Sequence, residues 1–363
     1  MTDWERRRQA WRAKRLGRAA LAAASLAWGL AMFLRRWLYE RGLLRSKTLP
    51  ARVLCIGNLT TGGTGKTPAV LLAAQTLRRR GVPVAILSRG YGRTGQAKRV
   101  TALVDGKPAA WSECGDEPWL LQRCLAGQGV PILVSSDRFR AGERAVRAHG
   151  ARVLILDDGF QHLRLRRDLD VVLLNALDPF GGGAVLPLGR LREPPSALRR
   201  AGLIVLTHAD AVTPDKLRKL EERVRRRNPT APILRAVHRP DALLTARGGE
   251  LRPPSSLKGQ RLASLCGLAE PAAFETLLER LGAVIEQRWR FPDHHPYTDK
   301  DLRSVARLGD GLPVVTTAKD LARLPSGWES SLPCELLVLT IRLEFIEGGE
   351  AWERALLRLA EAP

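Results

Sequence analysis

The sequence predicts an α/β fold: a doubly wound, mainly parallel sheet of the P-loop NTPase type, with a membrane-associated helix before it and a smaller α/β domain after it. Three observations predict this. From Arg52 onward, short runs of Val, Ile and Leu alternate with helical-period segments, the pattern of a sheet buried on both faces. The first run, "RVLCIG", leads straight into the glycine-rich "NLTTGGTGKTP". Ahead of both lies a basic, apolar segment unlike the rest of the chain.

That first segment, residues 1–45, holds an uncharged stretch from Ala19 to Leu34. As a helix the stretch is about 24 Å long, short for a hydrocarbon core of about 30 Å. Leu26, Leu30, Phe33 and Trp37 fall on one helical stripe, with alanines opposite. Arg12, Lys14, Arg15 and Arg18 precede it, and Arg35, Arg36 and Arg41 follow. A spanning helix prefers its positive charge on one side, so two basic ends favour a helix lying on an anionic membrane surface. A spanning anchor and an ordinary core helix are the alternatives. A cleaved signal peptide is disfavoured, because no small-residue cleavage site precedes "FLRRWLY".

In the core, residues 46–245, the strands expected are "RVLCIG", "PVAILS", "VPILVSS", "ARVLILDD", "DVVLLN" and "LIVLT". Helices are expected near 67–80, 117–127, 137–149 and 214–228. The Pro-, Gly- and Ser-containing "RPDALLTARGGELRPPSSLKG" reads as a boundary. Beyond it, residues 246–363 offer "RLASLCGLA", a helix near 270–281, "LPVVTTA" and "CELLVLTI" as a smaller α/β domain.

Composition narrows the partners. A net charge of +22 suits an anionic surface or substrate. With three Tyr, seven Phe and no basic stretch interleaved with aromatics, no nucleic-acid partner is expected. Cys55, Cys114, Cys124, Cys266 and Cys334 lack the spacing of a disulfide framework or a zinc site, and read as reduced thiols.

The chemistry starts at "LTTGGTGKTP". Strand, glycine turn and helix start stand in the order of a phosphate loop, with the amides from Thr60 through Thr61, Gly62, Gly63, Thr64, Gly65 and Lys66 to Thr67 around a nucleotide triphosphate. Lys66 would reach the β and γ phosphates, and the Thr67 hydroxyl would hold Mg²⁺. Thr60 occupies the first glycine position of the usual pattern. A glycine turn with a solvated lysine would leave the Gly-Lys-Thr run unexplained. Asp157 and Asp158 end the strand "VLILDD", where a second metal contact approaches a phosphate loop.

A phosphate acceptor needs a base and charge neutralisation along the transfer line. Candidates are Asp116 and Glu117 in "GDEP", Arg192 and Glu193 in "LREP", and Asp293, His294 and His295 in "FPDHHPY". Arg89 and Arg93 in "LSRGYGR" serve either a phosphate or a structural turn.

Taken in order, "GNLTTGGTGKTP", "LSRGYGR", "GDEP", "LDDGFQH", "PFGGGAVLPLGRLREP", "CGLAEPAAF", "FPDHHPYTDKDL" and "VVTTAKD" resemble one family, the tetraacyldisaccharide 4′-kinases of lipid A biosynthesis. The resemblance covers nearly all of the chain after the first forty residues. It implies an enzyme of the inner membrane's cytoplasmic face, using ATP and Mg²⁺ to phosphorylate the 4′-hydroxyl of a tetraacylated glucosamine disaccharide 1-phosphate. It implies that Asp116 and His294 act together at the acceptor hydroxyl. It also implies that Asp157, Asp158 and Glu193 lie near metal and phosphates, with Arg192 as a charge-neutralising group. A monomer that meets the membrane surface through its N-terminal helix is expected. Gly182, Leu188 and Arg190 depart from the family's usual residues, which leaves the details of that loop open. A membrane-associated ATPase switch of the partitioning type is the alternative, but its signature lysine would stand where this chain has Thr61.

Overall fold

The computed structural model describes residues 15–91, 93, 97–105, 111–247, 250–268, 270–293, 295–325 and 327–361. They fall into two units. The larger takes the chain up to His238 and again from Leu343; the smaller holds Arg239–Arg342.

In the larger unit the strands are β1 (Arg52–Asn58), β2 (Val84–Ser88), β3 (Thr101–Leu103), β4 (Ile132–Val134), β5 (Val153–Asp157), β6 (Leu169–Asn175), β7 (Leu203–Thr207) and the start of β8 (Ile233–Thr245). Their order is β8-β7-β6-β1-β5-β2-β4-β3, all parallel except the edge strand β3. The six expected strands are present, and each is buried along most or all of its length. Successive strands after β1 lie on one side of it until β5, and β6 lies on the other. That reversal opens a crevice at the carboxyl ends of β1 and β5, where ligands bind in open α/β sheets.

The helices α1 (Arg15–Glu40), α2 (Lys66–Arg79), α3 (Asp116–Cys124), α4 (Arg138–His149) and α5 (Pro214–Arg225) match the expected positions within a few residues. On α2, Ala69, Val70, Ala73, Ala74 and Leu77 are buried; the small side chains let the helix lie close over the sheet. Pro68 sits in its first turn, where no intrahelical N–H is needed. α4 is capped by Asp137, whose carboxylate accepts from Arg140 N at 3.2 Å, and ends at Gly150 in the left-handed region.

α1 runs past the uncharged stretch through Arg35 and Arg36, which gives it a length of about 39 Å. Its Gly17–Glu40 portion is long and apolar enough to cross a membrane by length and composition. Leu26, Leu30 and Phe33 are exposed at 77, 67 and 50%. That apolar stripe finds no cover within the larger unit, as a membrane-seeking face requires.

The smaller unit contains the rest of β8, β9 (Leu251–Arg252), β10 (Arg261–Cys266), α6 (Pro271–Arg280), β11 (Val284–Arg290), α7 (Asp299–Leu308), β12 (Val314–Thr317) and most of β13 (Leu336–Glu347). Its strands run β11-β10-β12-β13-β8, with β9 antiparallel to β8. The sequence places a boundary at residue 245, and the two units change over after His238. β8 carries straight through the first third of the boundary sequence, where Leu243, fully buried, anchors it in the smaller unit's core. The end of the chain belongs to the larger unit: α8 (Gly349–Glu361) buries Trp352, Leu356 and Leu359 with Ala73 and Leu77 of α2 in one apolar cluster.

Candidate active site

The phosphate loop grows out of β1. Its path is set by two glycines in positions closed to other residues. Gly62 takes φ 115° and Gly65, the residue before α2, takes φ 79°. A Cβ on Gly65 would stand 2.2 Å from Nε2 of His238. The base of the loop is pinned from three sides. Asn58 Nδ2 donates to Thr64 Oγ1 at 3.0 Å, Thr207 Oγ1 donates to the Thr64 carbonyl at 3.2 Å, and Gln161 Nε2 donates to the Asn58 carbonyl at 3.0 Å. Thr60, Thr64 and Thr67 are buried, whereas Gly62 and Gly63 are exposed with backbone free for an anion.

The loop's outer strand is zipped to the "GRLREP" segment. Thr61 N donates to the Arg190 carbonyl at 2.8 Å, Arg192 N donates to the Leu59 carbonyl at 2.7 Å, and Thr60 bridges Leu191. This brings Arg192 to the acidic turn after β5. Its Nη1 donates to both carboxylate oxygens of Asp158, at 3.0 and 2.9 Å, and Lys66 Nζ lies 3.8 Å from the same carboxylate. Lys66, Asp158 and Arg192 therefore form one chain of charge beside the loop. Gly57 permits the approach: a Cβ there would stand 2.7 Å from Phe160 Cβ.

The two aspartates differ in charge. Burial, reinforced by the charges of Glu117 and Asp158, pushes Asp157 up to about 7, against the pull of Lys66 and a 3.1 Å hydrogen bond from Ser88 Oγ. Burial opposes ionisation of Asp158 as well, but Lys66 and Arg192 outweigh it and hold that carboxyl below the usual range. One aspartate thus stands ionised among cations while its neighbour holds a proton until near neutrality.

Glu193, expected near metal and phosphates, is ion-paired with Arg200. Arg200 takes both of its carboxylate oxygens, at 2.8 and 3.2 Å, and stacks on Phe160 at 4.2 Å. At 5% exposure that carboxylate needs a cation of its own, and Arg200 supplies it. The Arg93 guanidinium donates to the carbonyls of Val134 and Arg99, both at 3.1 Å. Of the "DHH" histidines, His295 lies 3.1 Å from Asp301 and stacks on Phe291. His294 lies outside the described residues, and so does the side chain of Asp116, whose backbone starts α3. The "GDEP" turn itself is held against Gly90 and Tyr91: a Cβ on Gly115 would meet the Tyr91 carbonyl at 2.6 Å.

Sequence reasoning missed Arg138. It is 4% exposed at the start of α4, donates to the Ser135 carbonyl at 3.0 Å, and its charge acts on both Asp157 and Asp158. Burial lowers its pKa to about 10, with Asp157 opposing. An arginine at an N-terminal helix position carries no signal in sequence; its burial does. Of the unusual loop residues, Arg190 pairs with Asp178, which also accepts from Gly182 N at 3.0 Å, and Gly182 takes φ 77°.

A family model described as LpxK, tetraacyldisaccharide-1-P 4′-kinase, matches residues 17–361. The chain belongs to this family. It is a kinase acting on a hydroxyl group. The chain is 39% identical to the tetraacyldisaccharide 4′-kinase of Elusimicrobium minutum (strain Pei191) over 352 residues, covering 97% of this chain and 94% of that one. It is 44% identical to that of Anaeromyxobacter sp. (strain K) over 362 residues, covering 97 and 95%. The crystal structure of LpxK from Aquifex aeolicus in complex with ATP superimposes with a TM-score of 0.76 at 30% identity, over 94% of this chain and 99% of that one. Membership in the LpxK family displaces the partitioning-type switch as a reading of the phosphate loop.

Proposed function

We propose that this chain, as a monomer at the cytoplasmic face of the inner membrane, transfers the γ-phosphate of ATP to the 4′-hydroxyl of a tetraacylated glucosamine disaccharide 1-phosphate, giving lipid IV-A. The observation that carries the reading is the Lys66–Asp158–Arg192 chain beside the open glycines of the loop. Two cations beside the loop suit neutralisation of a transferring phosphoryl group, and the carboxylate they share lies 3.8 Å from Lys66 at the start of α2. The exposed stripe of α1 supports a site worked from a membrane surface.

The oxygen donors fit Mg²⁺. Thr67 offers a hydroxyl and the β5 end offers Asp157 and Asp158, hard ligands of the kind Mg²⁺ shares with phosphate oxygens and water. Among the described residues no group of three or more His, Cys, Asp or Glu is arranged to hold an ion by protein ligands alone. When bound, Mg²⁺ would offset charge on the β and γ phosphates. The protein's own work is positional. The loop amides hold the triphosphate, Lys66 meets the β and γ oxygens, and Arg192 neutralises charge on the moving group. The 4′-oxygen bonds to the γ-phosphorus as the bond to ADP breaks, and Asp116 with His294 receives the hydroxyl proton.

A mixed-micelle assay with ATP, Mg²⁺ and the disaccharide 1-phosphate tests the proposal; bisphosphate product is expected, and no product overturns it. In the same assay Asp116→Ala and His294→Ala should lower turnover far more than ATP affinity. A large loss of nucleotide binding would remove both from the acceptor side.

A further inference from the structure

α1 has two faces with different tasks. One is the exposed stripe of Leu26, Leu30 and Phe33. The other reaches the catalytic loops with polar side chains. Ser25, 5% exposed, donates to the Val185 carbonyl at 2.8 Å and accepts from Leu188 N at 2.9 Å. Trp28 Nε1 donates to the carbonyl of Arg192 at 3.0 Å. Two turns further, Arg35 Nη1 donates to the Gln161 carbonyl at 3.0 Å.

Trp28 and Arg35 contact Arg192 and Gln161 directly, and Ser25 contacts Val185, which bridges Leu191 beside Arg192. Arg192 is held at four points: its carbonyl by Trp28, its N–H by Leu59 of the phosphate loop, and its guanidinium by Asp158 and, at 3.4 Å, by Gln161. Gln161 also holds Asn58 at the end of β1. Segment 185–192 is braced by Leu186 N to the Leu191 carbonyl at 2.8 Å, Gly189 N to the Val185 carbonyl at 2.9 Å, Leu191 N to the Ala184 carbonyl at 3.1 Å and Arg190 N to the Gly181 carbonyl at 2.9 Å. Ser25 satisfies one further donor and one further acceptor at its turn.

We propose that Ser25 and Trp28 are positioning residues for phosphoryl transfer: by fixing the turn at Val185–Leu188 and the backbone of Arg192, they hold the Arg192 guanidinium on Asp158. The helix that seeks the membrane is therefore part of the machinery rather than a tether to it. Misplacement of about 1 Å in a group that stabilises the transition state can cost two orders of magnitude in rate, so two backbone contacts are enough to register in turnover. This inference rests on the role of Arg192 given above.

The test uses the full chain in mixed micelles, with Trp28→Phe, which keeps the ring and removes the N–H, and Ser25→Ala. Each should lower kcat by about three- to tenfold, with the KM for ATP and the acceptor and partition onto anionic vesicles within about twofold of the parent. Amide exchange should quicken in residues 185–193 and not in α2. Leu30→Ser, on the opposite stripe, should give the reverse pattern, weakening vesicle partition and raising acceptor KM. An unchanged kcat in both Ser25 and Trp28 variants overturns the proposal, as does a loss confined to acceptor KM and vesicle partition. Failure of the parent chain to make product would instead overturn the reading of the reaction itself.

Discussion

At the scale of single residues, the site depends on side chains that are missing as much as on those present. Gly65 takes φ 79° with the His238 ring 2.2 Å from any Cβ. Gly65→Ala should cost about 1–2 kcal/mol from the left-handed backbone alone. It must also displace His238, so a lowered melting temperature and lost ATP binding in a nucleotide titration are expected together. Lys66→Ala is the opposite case. Its ammonium is one of two cations on Asp158, and Arg192 remains when it is gone. Melting should stay within a few degrees of the parent while transfer falls by at least about 100-fold in a single-turnover assay. Lys66 was legible because a lysine after "GGTG" has few structural uses. The different charge states of Asp157 and Asp158 were not legible, since burial and the approach of Glu117 and Arg192 come from distant segments.

At the scale of elements, β1, α2 and β5 carry the site and the segment from Arg190 to Arg200 closes it. The Glu193–Arg200 pair is the clearest wedge in that segment, with side-chain exposures of 6 and 14%. Arg200→Ala leaves a buried carboxylate unpaired and removes the guanidinium stacked on Phe160. Urea unfolding should show a loss of about 3–5 kcal/mol. A loss below about 1 kcal/mol would mean that Glu193 does not depend on Arg200 for its charge partner. The strands and helices of the larger unit were readable because each buried strand is a short apolar run and each helix repeats its apolar residues every three or four positions. β8 was not among the expected strands, because its apolar residues are interrupted by Arg235, His238, Arg239 and Pro240. The burial of Leu243 that keeps it a strand is a tertiary fact.

At the scale of the whole molecule, two properties follow. Burial, with His208 beside it, pushes His238 down to about 4, and burial among arginines does the same to His162. Both rings are neutral in the folded chain at a pH where the unfolded chain would protonate them. Unfolding therefore takes up protons between about pH 6.5 and about pH 4. Stability from these groups is complete above about 6.5 and drains as pH falls toward 4. Thermal melts should drop in that window, and His238→Asn should flatten the slope. Membrane attachment is the second property. Removing residues 1–40 should release the protein from anionic vesicles in a flotation assay, because the exposed stripe of α1 goes with them. A truncated chain that floats as well as the parent would place attachment elsewhere.

By itself the sequence determined the α/β class, the phosphate loop with Lys66 and Thr67, the paired aspartates and the family. These are local: periodicity, turn chemistry and an ordered series of short motifs are written along the chain. Only the tertiary structure decided that Arg192 meets Asp158, that Glu193 belongs to Arg200, and that Arg138 is buried beside the acids. It also decided that α1 grips the catalytic loops with the face opposite its apolar stripe. Those outcomes depend on which distant segments are pressed together. A charge in a sequence takes its partner and its pKa only from what the fold brings within a few ångströms of it.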